Sequence, residues 1–268
     1  MQIKIDLKGL AQIKDAMAKT PSQVVFAAAV ALNATAGKAK KAVRDEMSRV
    51  FDRPTPWVLN SLRIKPATKA DPSAELAFKD TSSKNTTGPD TARTMVFPHV
   101  EGGSRHFKTM EARLLRAGLI PSGYNAVPGG AAKLDANGNM SQGQISQLLN
   151  VLGAYTEAGY NKANDKTRKR LAKGNIKKNV YGFAYIVIKV GASRPKHLQP
   201  GVYQRVSTGF GSSLKPILMF VKRANYKQRL DFFGIATKTI NKEFPKEFTK
   251  SFDEAVRTAL FKNQGSLL

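Results

Sequence analysis

The sequence contains no cysteine among its 268 residues. That excludes a disulfide framework, a thiolate nucleophile and any cysteine-based zinc site. Acids are scarce as well, 19 Asp+Glu against 44 Lys+Arg, for a formal net charge of +25. Histidine chemistry would rest on His99, His106 and His197, and none of them has a carboxylate at metal-ligand spacing. Magnesium-dependent nuclease chemistry needs clustered carboxylates, whereas the acids here are scattered along the chain. Asp135-Ala136-Asn137-Gly138-Asn139 imitates the start of a calcium loop. Its glycine falls at the fourth place rather than the sixth, however, and Ser146 stands where the closing glutamate belongs, so a tight turn is the better reading. Ser193 sits in no nucleophile elbow, and Gly129-Gly130-Ala131-Ala132-Lys133 lacks the rest of a phosphate loop. A non-enzymatic protein without metal or cofactor is expected. No run approaches the roughly 18 apolar residues of a membrane span, and Met1-Gln2-Ile3-Lys4-Ile5 has no signal-peptide core, so no membrane partner is expected.

What is present suits a packed protein: 41% hydrophobic and 8% aromatic residues exclude a disordered chain. Ile3, Ile5 and Leu7 alternate with Lys4 and Asp6 as in a half-buried strand, which Gly9 ends. Leu10, Ile13, Met17 and Ala18 suggest a short helix. Thr20-Pro21-Ser22-Gln23 combines a cap, a proline at the first helical position and a capping-box glutamine. A long helix from Pro21 to about Phe51 should follow, with Val25, Leu32, Ala36, Ala39, Val43, Met47 and Val50 on one stripe. Asp52-Arg53-Pro54-Thr55-Pro56 stops it. Trp57-Val58-Leu59 comes next, with Trp57 either a core anchor or a partner-facing hot spot. Leu62–Lys65 and Ala74–Lys79 read as strands able to pair with the first.

Residues 80–94 read as a polar loop or linker. A short helix is predicted over Phe107–Gly118, turns through Asn125–Gly130, and a second helix behind Ser141-Gln142-Gly143-Gln144. Lys162, Lys166, Arg168, Lys169, Arg170, Lys173, Lys177 and Lys178 form the densest charge cluster, with Asp165 its single acid. Three readings stay open for it: a solvated loop, a contact to DNA, or a contact to an acidic protein. No aromatic interrupts it, so duplex backbone suits it better than a single strand. Tyr181–Val190 reads as a strand, and Gly201–Val206 with Leu214–Arg223 as a hairpin around a Gly/Ser-rich turn. A long helix then carries Phe233, Ile240, Phe244, Phe248, Phe252, Val256 and Leu260 on one face, with Pro245 expected to kink or divide it. By order alone, this helix should lie across the hairpin's sheet.

Gln204-Arg205-Val206, then Lys215-Pro216-Ile217, then Phe244-Pro245-Lys246-Glu247, preceded by the Ala-rich stretch Ala27–Asn33, resemble in that order the phage lambda minor tail protein Z family, the tail completion proteins of long-tailed phages. The middle of the chain, with Asp135-Ala136-Asn137-Gly138-Asn139-Met140, is similar instead to a wider set of prophage-encoded proteins. The resemblance implies a structural virion protein at the head–tail junction, passing through the host cytoplasm during assembly. It also implies a homo-oligomeric ring beside the tail terminator or tail tube protein, the end of the tape-measure protein and the head–tail connector, near genomic DNA. Trp57, Gln204 and Arg205 are candidate assembly-interface residues. The alternative reading is a sequence-independent nucleic-acid-binding protein.

The expected fold is α+β: a small, mostly antiparallel sheet packed against the long N-terminal and C-terminal helices, with a helical and loop insertion. Residues 1–97 and 181–268 are expected to form one discontinuous core, and 98–180 the insertion.

Overall fold

The computed structural model describes residues 2–6, 21–80, 91–155, 163–175, 181–193, 197–208, 211–223 and 225–264. The short helix expected over Leu10–Ala18, the Thr20 cap and most of the polar stretch after Asp80 lie outside these. The fold is α+β with antiparallel sheets, divided into two compact units: 1–102 with 227–268, and 103–226.

The first unit is built on two long helices, α1 (Pro21–Val50) and, at the other end of the chain, a helix over Phe232–Gln264. Alanine lets the helix backbones come close: Ala27, Ala28, Ala31, Ala36 and Ala39 of α1 are fully buried, as are Leu32, Val43 and Met47. Against them pack Ile240, Phe244, Phe248 and Phe252 of the terminal helix. The three phenylalanines stack successively with centroids 6.0 Å apart, as neighbours four residues apart on one helix face do. Lys38 Nζ bridges from α1 to Glu243 at 2.6 Å and Glu247 at 2.7 Å. The terminal helix continues through Pro245 rather than being divided by it.

Three strands, β1 (Gln2–Asp6), β2 (Leu62–Lys65) and β3 (Ser73–Phe78), form an antiparallel sheet with β3 in the middle. Between α1 and β2 lies a single helical turn, α2 (Pro56–Leu59), capped by the Thr55 hydroxyl accepting from Val58 N. A tie not visible in any periodicity joins α1 to the loop after β2. Asn33 accepts from Ala67 N at 2.7 Å and donates to Ala67 O at 3.0 Å, completing both backbone groups of a buried residue as a neighbouring strand would.

A helix that sequence reading missed, α3 (Ala92–Val100), closes this unit. Thr91 caps it through a capping box with Thr94, and Pro98 stands in its last turns. The proline hides it, because proline normally argues against a helix interior. Val96 and Val100 join Phe78, Leu230 and Phe232 in the core.

The chain enters and leaves the second unit through adjacent strands, β4 (Gly103–Ser104) and β9 (Asn225–Tyr226), paired antiparallel. Between them, β5 (Tyr124–Pro128), β6 (Phe183–Ile188), β7 (Gly201–Thr208) and β8 (Gly211–Lys222) make an antiparallel sheet of order β5-β8-β7-β6. The predicted hairpin is β7 and β8, with residues 209–210 of its turn outside the described set. A register shift between Val202 and Tyr203 places Tyr203 opposite Pro216. The stretch read as turns over Asn125–Gly130 is largely strand β5. Its composition has no alternation, and pairing with β8 decides it.

One side of this sheet is packed by α4 (Thr109–Arg116) and α5 (Gln142–Val151), through Leu114, Leu148 and Leu149 against Val202, Leu218, Phe220 and Ala126. Ser141 caps α5 as expected, while Gln144 turns its side chain to Lys133 N at 2.7 Å instead of back to the cap. Asp135 accepts from Asn137 N and Asn139 N, so the imitation calcium loop is a tight turn.

The expected single core is therefore corrected. The hairpin strands belong to the second unit with α4 and α5, while the terminal helix, α7 (Phe232–Gln264), packs on α1 in the first. The physical reason is that the apolar stripe of α7 matches that of α1, and the hairpin's inner face is matched by two short helices from the middle of the chain.

Beneath α4, Glu111 is wholly buried. Its carboxylate accepts from the two terminal guanidinium nitrogens of Arg105, each at 2.6 Å, from Lys108 N at 2.8 Å, Ala126 N at 2.7 Å and the Asn125 amide at 3.3 Å. Burial pushes its pKa up, but the Arg105 guanidinium and the two backbone N–H groups outweigh that and hold it below the ordinary glutamate range.

Candidate nucleic-acid interface

Five of the eight clustered cations lie on a helix where a loop was one of the open readings: α6 (Asp165–Lys173). Lys162, Lys177 and Lys178 lie outside the described residues. Asn164 starts α6 by accepting from Thr167 N at 2.8 Å, Asp165 stands in its positive first turn, and Gly174, at φ +70°, ends it with its N–H on Arg170 O. A nine-residue helix this charged is marginal by itself. It is held from below: Thr167 and Leu171 are half-buried, and its backbone touches Gly182, just before β6. A Cβ on Gly182 would stand 1.9 Å from Ala172 O, so only glycine permits this approach.

With Thr167 and Leu171 turned inward, Lys166, Lys169, Arg170 and Lys173 fall at three- and four-residue spacing on one exposed stripe. At 1.5 Å per residue the stripe is about 10 Å long. Among the described residues none of these four has an acidic partner. Arg168 is turned away from them, 3.7 Å from Asp165 and donating to Val151 O. Tyr181, 69% exposed, stands next to Gly182 in sequence, just beyond the cluster.

The candidate assembly residues fall in both units. Trp57 is half-buried on α2 in the first, where Val58 and Leu59 are the residues that pack on the core. Gln204 and Arg205 are on β7 in the second. Gln204 is half-buried on the face shared with Val202, and Arg205 is exposed on the opposite face. The Gln-Arg pair thus points to two sides of one sheet.

The three histidines are scattered along the chain. His99 on α3 is half-buried edge-on to Phe51 at 5.1 Å, its pKa lowered by burial and by Arg229; His106 and His197 are exposed. Among the described residues no three His, Asp or Glu side chains converge to hold a metal ion, and no helix is long and apolar enough to cross a membrane.

Sequence reading missed how charge divides between the units, since that needs the boundary at residues 102 and 227. Residues 103–226 hold 20 Lys+Arg and four Asp+Glu, net +16; the rest of the chain holds 24 and 15, net +9. No family model, curated protein or solved structure matches this chain.

Proposed function

We propose that the chain is a structural virion protein, a tail completion or neck component that sits at the head-proximal end of a phage tail and makes it competent to join a head. The observation that carries this reading is the succession of the Ala-rich helix Ala27–Asn33, Gln204-Arg205-Val206, Lys215-Pro216-Ile217 and Phe244-Pro245-Lys246-Glu247 along one chain. Copies around the tail axis form a ring through a heterologous contact, with Trp57 and Arg205 as candidate contributors and the tail terminator, the tape-measure end and the connector as neighbours. The positive field suits it to lie beside the end of the packaged DNA.

A second reading, a sequence-independent nucleic-acid-binding protein, is favoured by the net charge of +25. Composition of purified tails separates the two. The first reading expects this chain in stoichiometric amounts, several copies per tail, with antibody label at the head-proximal end. A chain absent from tails and recovered with bulk nucleic acid from lysate contradicts it.

A further inference from the structure

We propose that the exposed stripe Lys166, Lys169, Arg170 and Lys173 of α6 is a sequence-independent contact for the phosphate backbone of duplex DNA, and that residues 103–226 carry the protein's polyanion binding. The inference rests on the DNA-proximal part of the reading above and names the residues that serve it.

The two units treat their charges differently. In the first unit, cations are matched by acids: Lys38 with Glu243 and Glu247, Arg49 with Glu46, Arg63 with Glu75, Lys65 with Asp71, Arg93 with Asp80. In the second unit none of the described acids is paired with the stripe. Glu111 is buried under Arg105, and Asp135 is occupied by the backbone of its own turn. Asp165 is engaged by Arg168 at 3.7 Å. An exposed array left without counter-charge keeps its full attraction for an external polyanion.

Geometry narrows the partner. Four cations on a straight helix edge about 10 Å long suit successive phosphates of one strand, and the close approach at Gly182 holds the array in place before binding. Apart from Ala172, the exposed residues of α6 are all charged. The stripe therefore offers no buried aromatic or aliphatic anchor, which a protein partner would need for its energetic centre. It has no apolar face to enter a lipid surface either. Tyr181, the exposed aromatic beside Gly182, cannot by itself form the succession of stacking platforms on which single strands depend. Contacts from lysine and arginine to phosphates position a backbone and carry no sequence information.

The test uses the full chain and a fluorescent duplex of about 30 base pairs of arbitrary sequence, with affinity measured from 50 to 300 mM NaCl. Replacing Lys166, Lys169, Arg170 and Lys173 with Gln should flatten the slope of log K against log[salt] by three to four, and lower affinity on the order of a thousandfold near 0.1 M. A charge-matched control carrying Lys41→Gln, Arg44→Gln, Lys238→Gln and Lys242→Gln, all exposed in the first unit, should change the slope by less than one. Lys166→Gln with Lys169→Gln alone should flatten it by about two, which keeps the readout should the fourfold variant lose its helix. Equal losses in stripe and control variants would assign binding to net charge and overturn the proposal. So would tighter binding to a single strand of the same length, or a stripe variant that keeps duplex affinity and loses association with tails. The presence of the chain in tails is measured separately, so failure here does not decide the assembly reading.

Discussion

Glu111→Ala should destabilise residues 103–226 by about 3–5 kcal/mol, the range for removing one partner of a buried ion pair. The loss is large because the carboxylate serves four donors at once. Without it the Arg105 guanidinium, Lys108 N, Ala126 N and the Asn125 amide all lose an acceptor beneath α4. Glu111→Gln keeps one acceptor oxygen and should cost less. Replacing both partners, Arg105→Met with Glu111→Leu, should recover much of the loss, since no charge is then left stranded. Urea denaturation gives the free energies, and hydrogen exchange read by peptide should locate the lost protection within 103–226.

The same group sets an acid limit. The folded-state pKa of Glu111 lies below its unfolded value of about 4.3. Its contribution is therefore complete above that value and disappears as pH falls through the lower folded one. The native protein should lose stability on acidification below about pH 4.3, and Glu111→Gln should lose less over the same window, having no proton to take up there. A loss under 1 kcal/mol for Glu111→Ala at neutral pH, or identical acid profiles for native and Glu111→Gln protein, would contradict this account of the pair.

Phe232→Ala should cost the first unit a similar amount, about 3–5 kcal/mol. Phe232 opens α7 where the chain returns from the second unit. It is fully buried, with its ring 5.2 Å from that of Phe78 on β3, and shares a core with Met47, Val43, Val96 and Leu230. It thus joins α7 to α1, α3 and the sheet in one place, and truncation leaves a cavity that four elements cannot all close. Its neighbour Phe233 is 41% exposed and meets Phe232 edge-on, so Phe233→Ala should cost under 1 kcal/mol. A cycle with Phe78→Ala should return a coupling of about 0.5–1.5 kcal/mol for the ring pair. Phe232→Leu keeps the measurement possible should the alanine variant not fold. Equal costs at positions 232 and 233 would show that burial at the start of α7 does not anchor it.

Long, strongly periodic elements were legible in the sequence. The stripe from Leu32 to Met47 and the proline stop at Pro54 gave α1 to within a residue, and the phenylalanine spacing gave α7. The β7–β8 pair announced itself by two β-rich runs around glycines. What stayed hidden was settled by partners far away in sequence or by residues that argue locally against the outcome. Pro98 concealed α3, and Tyr124-Asn125-Ala126-Val127-Pro128 becomes a strand through β8, some ninety residues on. The basic cluster masked α6, whose inward stripe is reduced to Thr167 and Leu171. Its supporting glycine, Gly182, is meaningful once Ala172 O is placed beside it. The cations of the candidate site were legible as composition. Their alignment on one helix face, and the division of charge between the two units, required the fold.

Assignment of the hairpin and the terminal helix to one core failed for a related reason. Adjacency in sequence made them neighbours, whereas complementary apolar faces paired α7 with α1 and the hairpin with α4 and α5. The adjacent β4 and β9 strands explain how so large an interruption is accommodated, since chain ends side by side let the second unit be inserted at one point.

The proposed assembly role is tested most directly by electron microscopy of lysates from a phage that carries this gene, with the gene disrupted, counting free heads, free tails and joined particles. The account predicts filled heads and full-length tails that fail to join, or that join without infectivity, with complementation restoring infectious particles. Normal numbers of infectious particles from the disrupted phage would contradict it.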